Sequence, residues 1–167
     1  GEENSGLTKE NGYVINLDRA EKLEKMTYSS LFSKAGIIVL EDTDESLLGK
    51  VDKLEVCDNN LYVLEKGRGL FLFNKQGKFI KMIGRKGKGP GEYIDPGDIS
   101  VDRENKKIYV LDSQTQNVLK YSSNGTFESS FKLENKGTRS TFIQPFKNAL
   151  YTNLYTFDES GKRFLLS

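Results

Sequence analysis

Leu61-Tyr62-Val63-Leu64-Glu65 is answered by Ile108-Tyr109-Val110-Leu111-Asp112, about 47 residues further along the chain. Each stretch opens with four consecutive apolar residues of mostly strand-forming type. A strand with one wet face alternates apolar and polar, because successive side chains point to opposite sides. Unbroken apolarity therefore requires cover on both faces. Parallel sheets obtain that cover from helices, but no amphipathic helix of sufficient length lies between these two stretches. Small antiparallel sheets stacked face to face obtain it from one another.

The match extends outward from these stretches. Leu70–Asn74 and Lys78–Phe79 around the turn Lys75-Gln76-Gly77 correspond, after a one-residue slip, to Val118–Tyr121 and Phe127 around Ser123-Asn124-Gly125. A third, weaker copy starts at Leu150-Tyr151-Thr152 and continues to Phe157-Asp158-Glu159-Ser160-Gly161-Lys162. Each full copy predicts four strands. The first has Lys53–Cys57, Leu61–Glu65, Leu70–Asn74 and Lys78–Ile83. The second has Asp98–Val101, Lys107–Asp112, Val118–Tyr121 and Phe127–Leu133. The turns Asp58-Asn59-Asn60 and Glu104-Asn105-Lys106, with the two Gly-containing turns, predict Gly or Asn wherever a hairpin needs positive φ. The fold class expected is all-β, with four-stranded antiparallel blades of the β-propeller type in a partial ring, since such blades repeat at about 40–45 residues. The expected division is an N-terminal segment over 1–51 and blades over 52–96, 97–139 and, in part, 140–167. In the N-terminal segment, Asp18-Arg19-Ala20-Glu21 has capping-box spacing, and Leu17, Ala20, Leu23 and Met26 keep a helical stripe. A short helix is expected there, with a further turn over Tyr28–Lys34. Tyr13–Leu17 and Gly36–Glu41 read as flanking strands, at least one of which should complete an outer sheet.

Composition narrows the function classes. The 167 residues carry 25 basic and 24 acidic side chains, a net charge of +1. Such a balance gives no global field to draw nucleic acid or an anionic membrane, and no nucleic-acid partner is expected. The longest aliphatic run, Ile37-Ile38-Val39-Leu40, is far too short to span a bilayer, so no transmembrane segment is expected. The single cysteine, Cys57, rules out an intrachain disulfide and sits in an apolar strand, where it reads as core. With no histidine in the sequence, the commonest general base and zinc ligand are both missing. The chain begins Gly1-Glu2-Glu3-Asn4 without Met, which reads as a processed or engineered start, with any export signal removed before residue 1.

The stretch Ile83-Gly84-Arg85-Lys86-Gly87-Lys88-Gly89-Pro90-Gly91-Glu92-Tyr93 resembles six-bladed, NHL-like β-propeller proteins abundant in gut Bacteroides-type bacteria. Ile38–Gly49 resembles the segment leading into their first complete blade. The family's usual turn Asp is replaced here by Gln76-Gly77. The likeness covers roughly residues 35 to 133. It implies a six-bladed ring and export to the periplasm or outer membrane, often as a lipid-anchored protein, with a glycan or protein as ligand. It implies no agreed activity. About three blades cannot close a ring, so the expectation is either a homodimer of two chains that closes one or a fragment with an exposed end.

Several residues are candidate sites. Arg85, Lys86 and Lys88 on the Gly-rich loop, with Tyr93 beside it, are the binding candidates. The loop is no P-loop, because it runs into Pro90 and strand-like sequence rather than Gly-Lys-Ser/Thr and a helix. Its plainer reading is a tight crossover between blades. Asp42, Asp44 and Glu45 lack the spacing of a calcium loop and read as a solvated turn. Asp95, Asp98, Asp102 and Asp112 lie near strand ends, and paired carboxylates there would serve acid–base chemistry. Asn124-Gly125-Thr126 has the form of a glycosylation site but reads as a hairpin turn. Tyr62, Tyr109, Phe71 and Phe73 read as core, and Tyr93 and Tyr155 as exposed aromatics. The function expected is a non-enzymatic binding or scaffold module of the bacterial envelope, with no cofactor and no catalytic residue. The alternatives are a lactonase- or lyase-like propeller enzyme with an axial metal, or a propeller fragment with no independent role.

Overall fold

A computed structural model describes residues 27, 32–134, 138–147, 149–157 and 163–165. The chain divides into units Gly1–Ile37 and Ile38–Ser167, and every strand described lies in the second. Its first sheet is an antiparallel meander of β1 (Lys53–Cys57), β2 (Asn60–Glu65), β3 (Gly69–Asn74) and β4 (Phe79–Ile83). A two-stranded parallel pair follows, β5 (Arg85–Lys86) with β6 (Glu92–Tyr93). The second sheet repeats the meander with β7 (Pro96–Asp102), β8 (Lys107–Asp112), β9 (Asn117–Ser122) and β10 (Phe127–Lys132). Two hairpins complete the described chain: β11 (Ile143–Phe146) with β12 (Ala149–Thr152), and β13 (Tyr155–Phe157) with β14 (Arg163–Leu165). Among the described residues there is no helix.

The repeated strands sit where both faces are covered. Side chains of β2 alternate between two clusters: Tyr62 and Leu64 enter one, Leu61 and Val63 the other. The first cluster lies between the sheets, joining Tyr62, Leu64, Leu70 and Leu72 to Ile99, Val101, Ile108, Val110 and Leu119. The second packs Leu61, Val63, Phe71 and Phe73 against Leu40, Leu48 and Phe79. Beyond the second sheet, Leu111 and Val118 pack with Ile143, joined by the partly buried Tyr109, Leu133 and Leu150. Each fully buried Leu, Ile or Phe contributes about 1.5–3 kcal/mol of transfer free energy, so these three layers dominate the folding energy. The outer strands behave differently: most of β4 and nearly all of β10 are exposed. Lys81, Glu128 and Lys132 place charge on these edges, which disfavours pairing with a foreign strand.

The hairpins show why the two copies match. In the β3–β4 turn Asn74 Oδ1 accepts the amides of Gln76 and Lys78 at 3.0 and 2.9 Å, and Gly77 has φ of +83°. In the β9–β10 turn Ser122 Oγ accepts the Thr126 amide at 3.1 Å, and Gly125 has φ of +78°. Both turns are followed by a register shift, between Leu72 and Phe73 opposite β4 and between Phe127 and Ser129 opposite β9. The bulge needs a left-handed residue that only glycine adopts freely.

Some expectations are corrected. Strand bounds move by one or two residues, chiefly at β7, which starts at Pro96. The two other hairpin turns place positive φ on Asp58 (53°) and Lys106 (54°) rather than on Asn. The reason is visible at Asp102, whose carboxylate accepts the Asn105 amide at 2.9 Å and side-chain amide at 2.8 Å. This ties Asn105 into the turn and passes the left-handed conformation to its neighbour. The expected strand Gly36–Glu41 is not a strand. Within the second unit, its last residue makes isolated contacts with the β3–β4 turn: the Glu41 amide donates to Gly77 O at 2.7 Å, and the Glu41 carboxylate accepts the Phe79 amide at 2.8 Å. Residues 32–34 of the further helical turn are not helical. The expected helix around Asp18–Met26 and the strand Tyr13–Leu17 lie outside the described residues.

Candidate functional site

The Gly-rich loop between the two sheets is held at its root by Tyr93. This side chain is fully buried. Its hydroxyl donates to Ile83 O at 2.9 Å and accepts the Leu70 amide at 3.1 Å. One phenol thus joins β3, β4 and β6, and burial pushes its pKa above the usual 10. The expectation of Tyr93 as an exposed aromatic is therefore corrected. The ring lies in the cluster between the sheets, where its hydroxyl finds both partners.

Glu92 closes the loop on itself. Its carboxylate accepts the Gly89 amide at 2.9 Å and Arg85 Nε at 2.6 Å. The Gly89 amide, and then Arg85, hold the Glu92 carboxyl below its ordinary 4.5. The Tyr121 hydroxyl donates to Gly91 O at 3.1 Å from the far side. Gly91 has φ of +72°, and a Cβ there would lie 2.9 Å from the Phe127 side chain. The local sequence is thus set by close approach of the loop to β9 and β10.

That approach leaves a groove of about 750 Å³ beside the loop. Gly87–Glu92 form one wall, Leu119 and Phe127 the apolar floor, and Thr115, Asn117, Ser129 and Ser130 the hydroxyl and amide groups. The turn opposite is organised by Asp112. Its carboxylate accepts the amides of Ile94 (2.7 Å), Gln114 (2.9 Å), Thr115 (3.1 Å) and Asp95 (3.4 Å). Both carboxylates at the groove, Glu92 and Asp112, already accept several N–H groups. The groove accordingly offers neutral hydrogen-bonding groups and an apolar floor, with Lys88 at the rim.

The sequence-selected residues are distributed unevenly. Lys88 is exposed and lines this groove. Arg85 is exposed but paired with Glu92, and it borders a smaller hollow of about 260 Å³ on the other side of the loop. Lys86 is exposed and lines neither. The strand-end carboxylates do not converge. Asp98 is buried, receiving Lys53 Nζ at 2.8 Å and the Ile143 amide at 2.9 Å, and so links β1, β7 and β11, the first strands of three successive sheets. Asp102 caps its turn. Around Asp42, Asp44 and Glu45 the turn is closed by Thr43 and Ser46, whose hydroxyls lie 2.8 Å apart. Among the described residues no three Cys, Asp or Glu side chains gather as metal ligands. Asn124 Oδ1 accepts Thr126 Oγ1 at 2.9 Å within its hairpin. Tyr62, Phe71 and Phe73 are fully buried and Tyr109 half-buried, whereas the Tyr155 side chain lies outside the described residues. The groove's own polar groups, Thr115, Asn117, Ser129 and Ser130, were not selected from sequence. A signal for them in the sequence is Ser129-Ser130, two small hydroxyls beside the edge-strand charge of Glu128.

Comparison with known proteins gives a family and a structural neighbour. The domain of unknown function DUF4934 matches residues 12–165. A crystal structure of a candidate exported protein from Bacteroides fragilis matches with a TM-score of 0.60 and 28% identity. The match covers 72% of this chain and 33% of that one, so the chain spans about a third of its neighbour's length. No match is found among curated proteins.

Proposed function

The chain belongs to the DUF4934 family of domains of unknown function, and from that premise we propose that it is an exported binding module whose stacked sheets are an arc of a β-propeller. Export is supported by the description of the Bacteroides neighbour. The propeller reading is supported by two meanders of identical order packed face to face, with the inner strands β1, β7 and β11 linked through Asp98. In this reading the groove beside the Gly-rich loop holds a neutral, hydroxyl-bearing ligand, a saccharide chain in preference to a peptide. One observation carries it: a groove of about 750 Å³ lined by small hydroxyl and amide groups over Leu119 and Phe127, with both bordering carboxylates already bonded to backbone amides. Sugars want neutral donors and acceptors beside an apolar surface, and catalysis wants an uncommitted acid or base.

The test is titration of the protein with a panel of neutral oligosaccharides, read by calorimetry. Saturable binding weakened about tenfold by Asn117→Ala, a loss near 1.4 kcal/mol, is expected. Binding unaffected by Asn117→Ala and Ser129→Ala, or no binding across the panel, would contradict it. A second reading has its own observation: Lys86, at the end of β5, and Lys88, on the loop beyond it, are both exposed and suit an acidic protein surface. Reversing the charge of Lys86, which lines neither hollow, would weaken that interaction and spare saccharide binding.

A further inference from the structure

The repeat places several residues in the same structural position, yet their exposure changes along the chain. Leu54 pairs with Val63, Ile99 with Val110 and Ile143 with Thr152, so the three occupy one place on successive inner strands. Ile99 and Ile143 are fully buried against the preceding sheet, whereas Leu54 is 52% exposed. Val56 and Val101 repeat the contrast, at 45% and 4%. The other face of each sheet shows the converse. Tyr62, Tyr109 and Tyr151 lie opposite Glu55, Ser100 and Gln144 in the same register. Tyr62 is fully buried in the cluster containing Ile99 and Val101. Tyr109 is half-buried against the cluster containing Ile143. Tyr151 is 56% exposed, with the exposed Phe146 ring 6.3 Å away.

On the rear of the first sheet Leu40 and Leu48 cover β2 and β3 but leave Leu54 and Val56 of β1 exposed, and the front of the β11–β12 hairpin exposes Tyr151 and Phe146; these are the counterparts of the two halves of a contact that the chain makes internally. From this we infer that the two halves meet between copies: Tyr151 and Phe146 of one chain dock on Leu54 and Val56 of a second, head to tail. Contiguous exposed apolar residues of this kind mark interfaces rather than ordinary surface. The net charge of +1 gives copies little reason to repel. A head-to-tail contact is heterologous, so it closes into a ring or continues as a filament according to its rotation. It is independent of any ligand in the groove.

Light scattering on the full chain, from micromolar concentration to about 1 mM, tests this with two variants, Leu54→Asp/Val56→Asp and Tyr151→Asp. All three positions are exposed, and a melt monitored by circular dichroism verifies that each variant folds. The wild type should pass from monomer to larger species as concentration rises, and each variant alone should remain monomeric. An equimolar mixture of the two variants should associate again, because each then supplies the half the other lacks. A wild-type chain that is monomeric throughout would overturn the inference and leave the patch to a different partner. Association that survives either variant, or a mixture that stays monomeric, would equally overturn it.

Discussion

Tyr93 joins three strands through one hydroxyl. Replacing it with Phe keeps the ring and strips the Leu70 amide and the Ile83 carbonyl of their partner in a dry site. The expected cost is about 1–3 kcal/mol, measured by denaturant unfolding, because buried groups left unpaired lose their full solvation. Glu92 gives a pH signature. Its folded pKa lies below its ordinary value, so its contribution is present above about pH 4.5 and is lost as pH falls through the folded value. The Gly89 amide should therefore exchange faster with solvent in acid, before the sheets unfold. Glu92→Gln should remove that pH dependence while leaving exchange in β2 and β8 unchanged. Both residues stood in the sequence beside conspicuous lysines. Tyr93 reads in the sequence as an exposed binding aromatic beside those charges, because its burial depends on partners at Leu70 and Ile83 that sequence spacing does not place.

At the scale of elements, the hairpins and the doubly covered strands were the legible part. Continuous apolar runs at Leu61–Leu64 and Ile108–Leu111 demanded cover on both faces, and Gly77 and Gly125 marked their turns. Element ends were less legible, because tertiary contacts decide them: Asp102 moves the left-handed residue of its turn to Lys106 by binding Asn105. Only one wall of the groove was legible, the Gly-rich loop. Its floor and hydroxyls come from β9, β10 and the turn before β9, which carry no recognisable motif and are brought to the loop by sheet packing. Asp112 is the element-scale hub of that region. Asp112→Ala should leave the Ile94, Gln114 and Thr115 amides without an acceptor and destabilise the protein by about 1.5–3 kcal/mol, with the largest rise in amide exchange in the β8–β9 turn. Asp112→Asn keeps one acceptor oxygen and should cost less.

For the whole unit of residues 38–167, the sheets share their interfaces and hence their stability. Ile99 belongs to the second sheet yet is buried in a cluster with Tyr62, Leu64 and Leu70 of the first. Ile99→Ala should cost about 2–5 kcal/mol, the range for opening a cavity in a packed core, and should lower a single thermal transition rather than split it. The account rests on that sharing: each apolar strand is covered by the neighbouring sheet. Native-state amide exchange measures it most directly. In the wild type, the amides of β2, β3, β8 and β9 should be the slowest and should exchange through one common opening. In Ile99→Ala, protection of β2 and β3 should fall together with that of β8 and β9. If β2 and β3 kept wild-type protection while β8 and β9 lost theirs, the two sheets would not be each other's cover, and the account would fail.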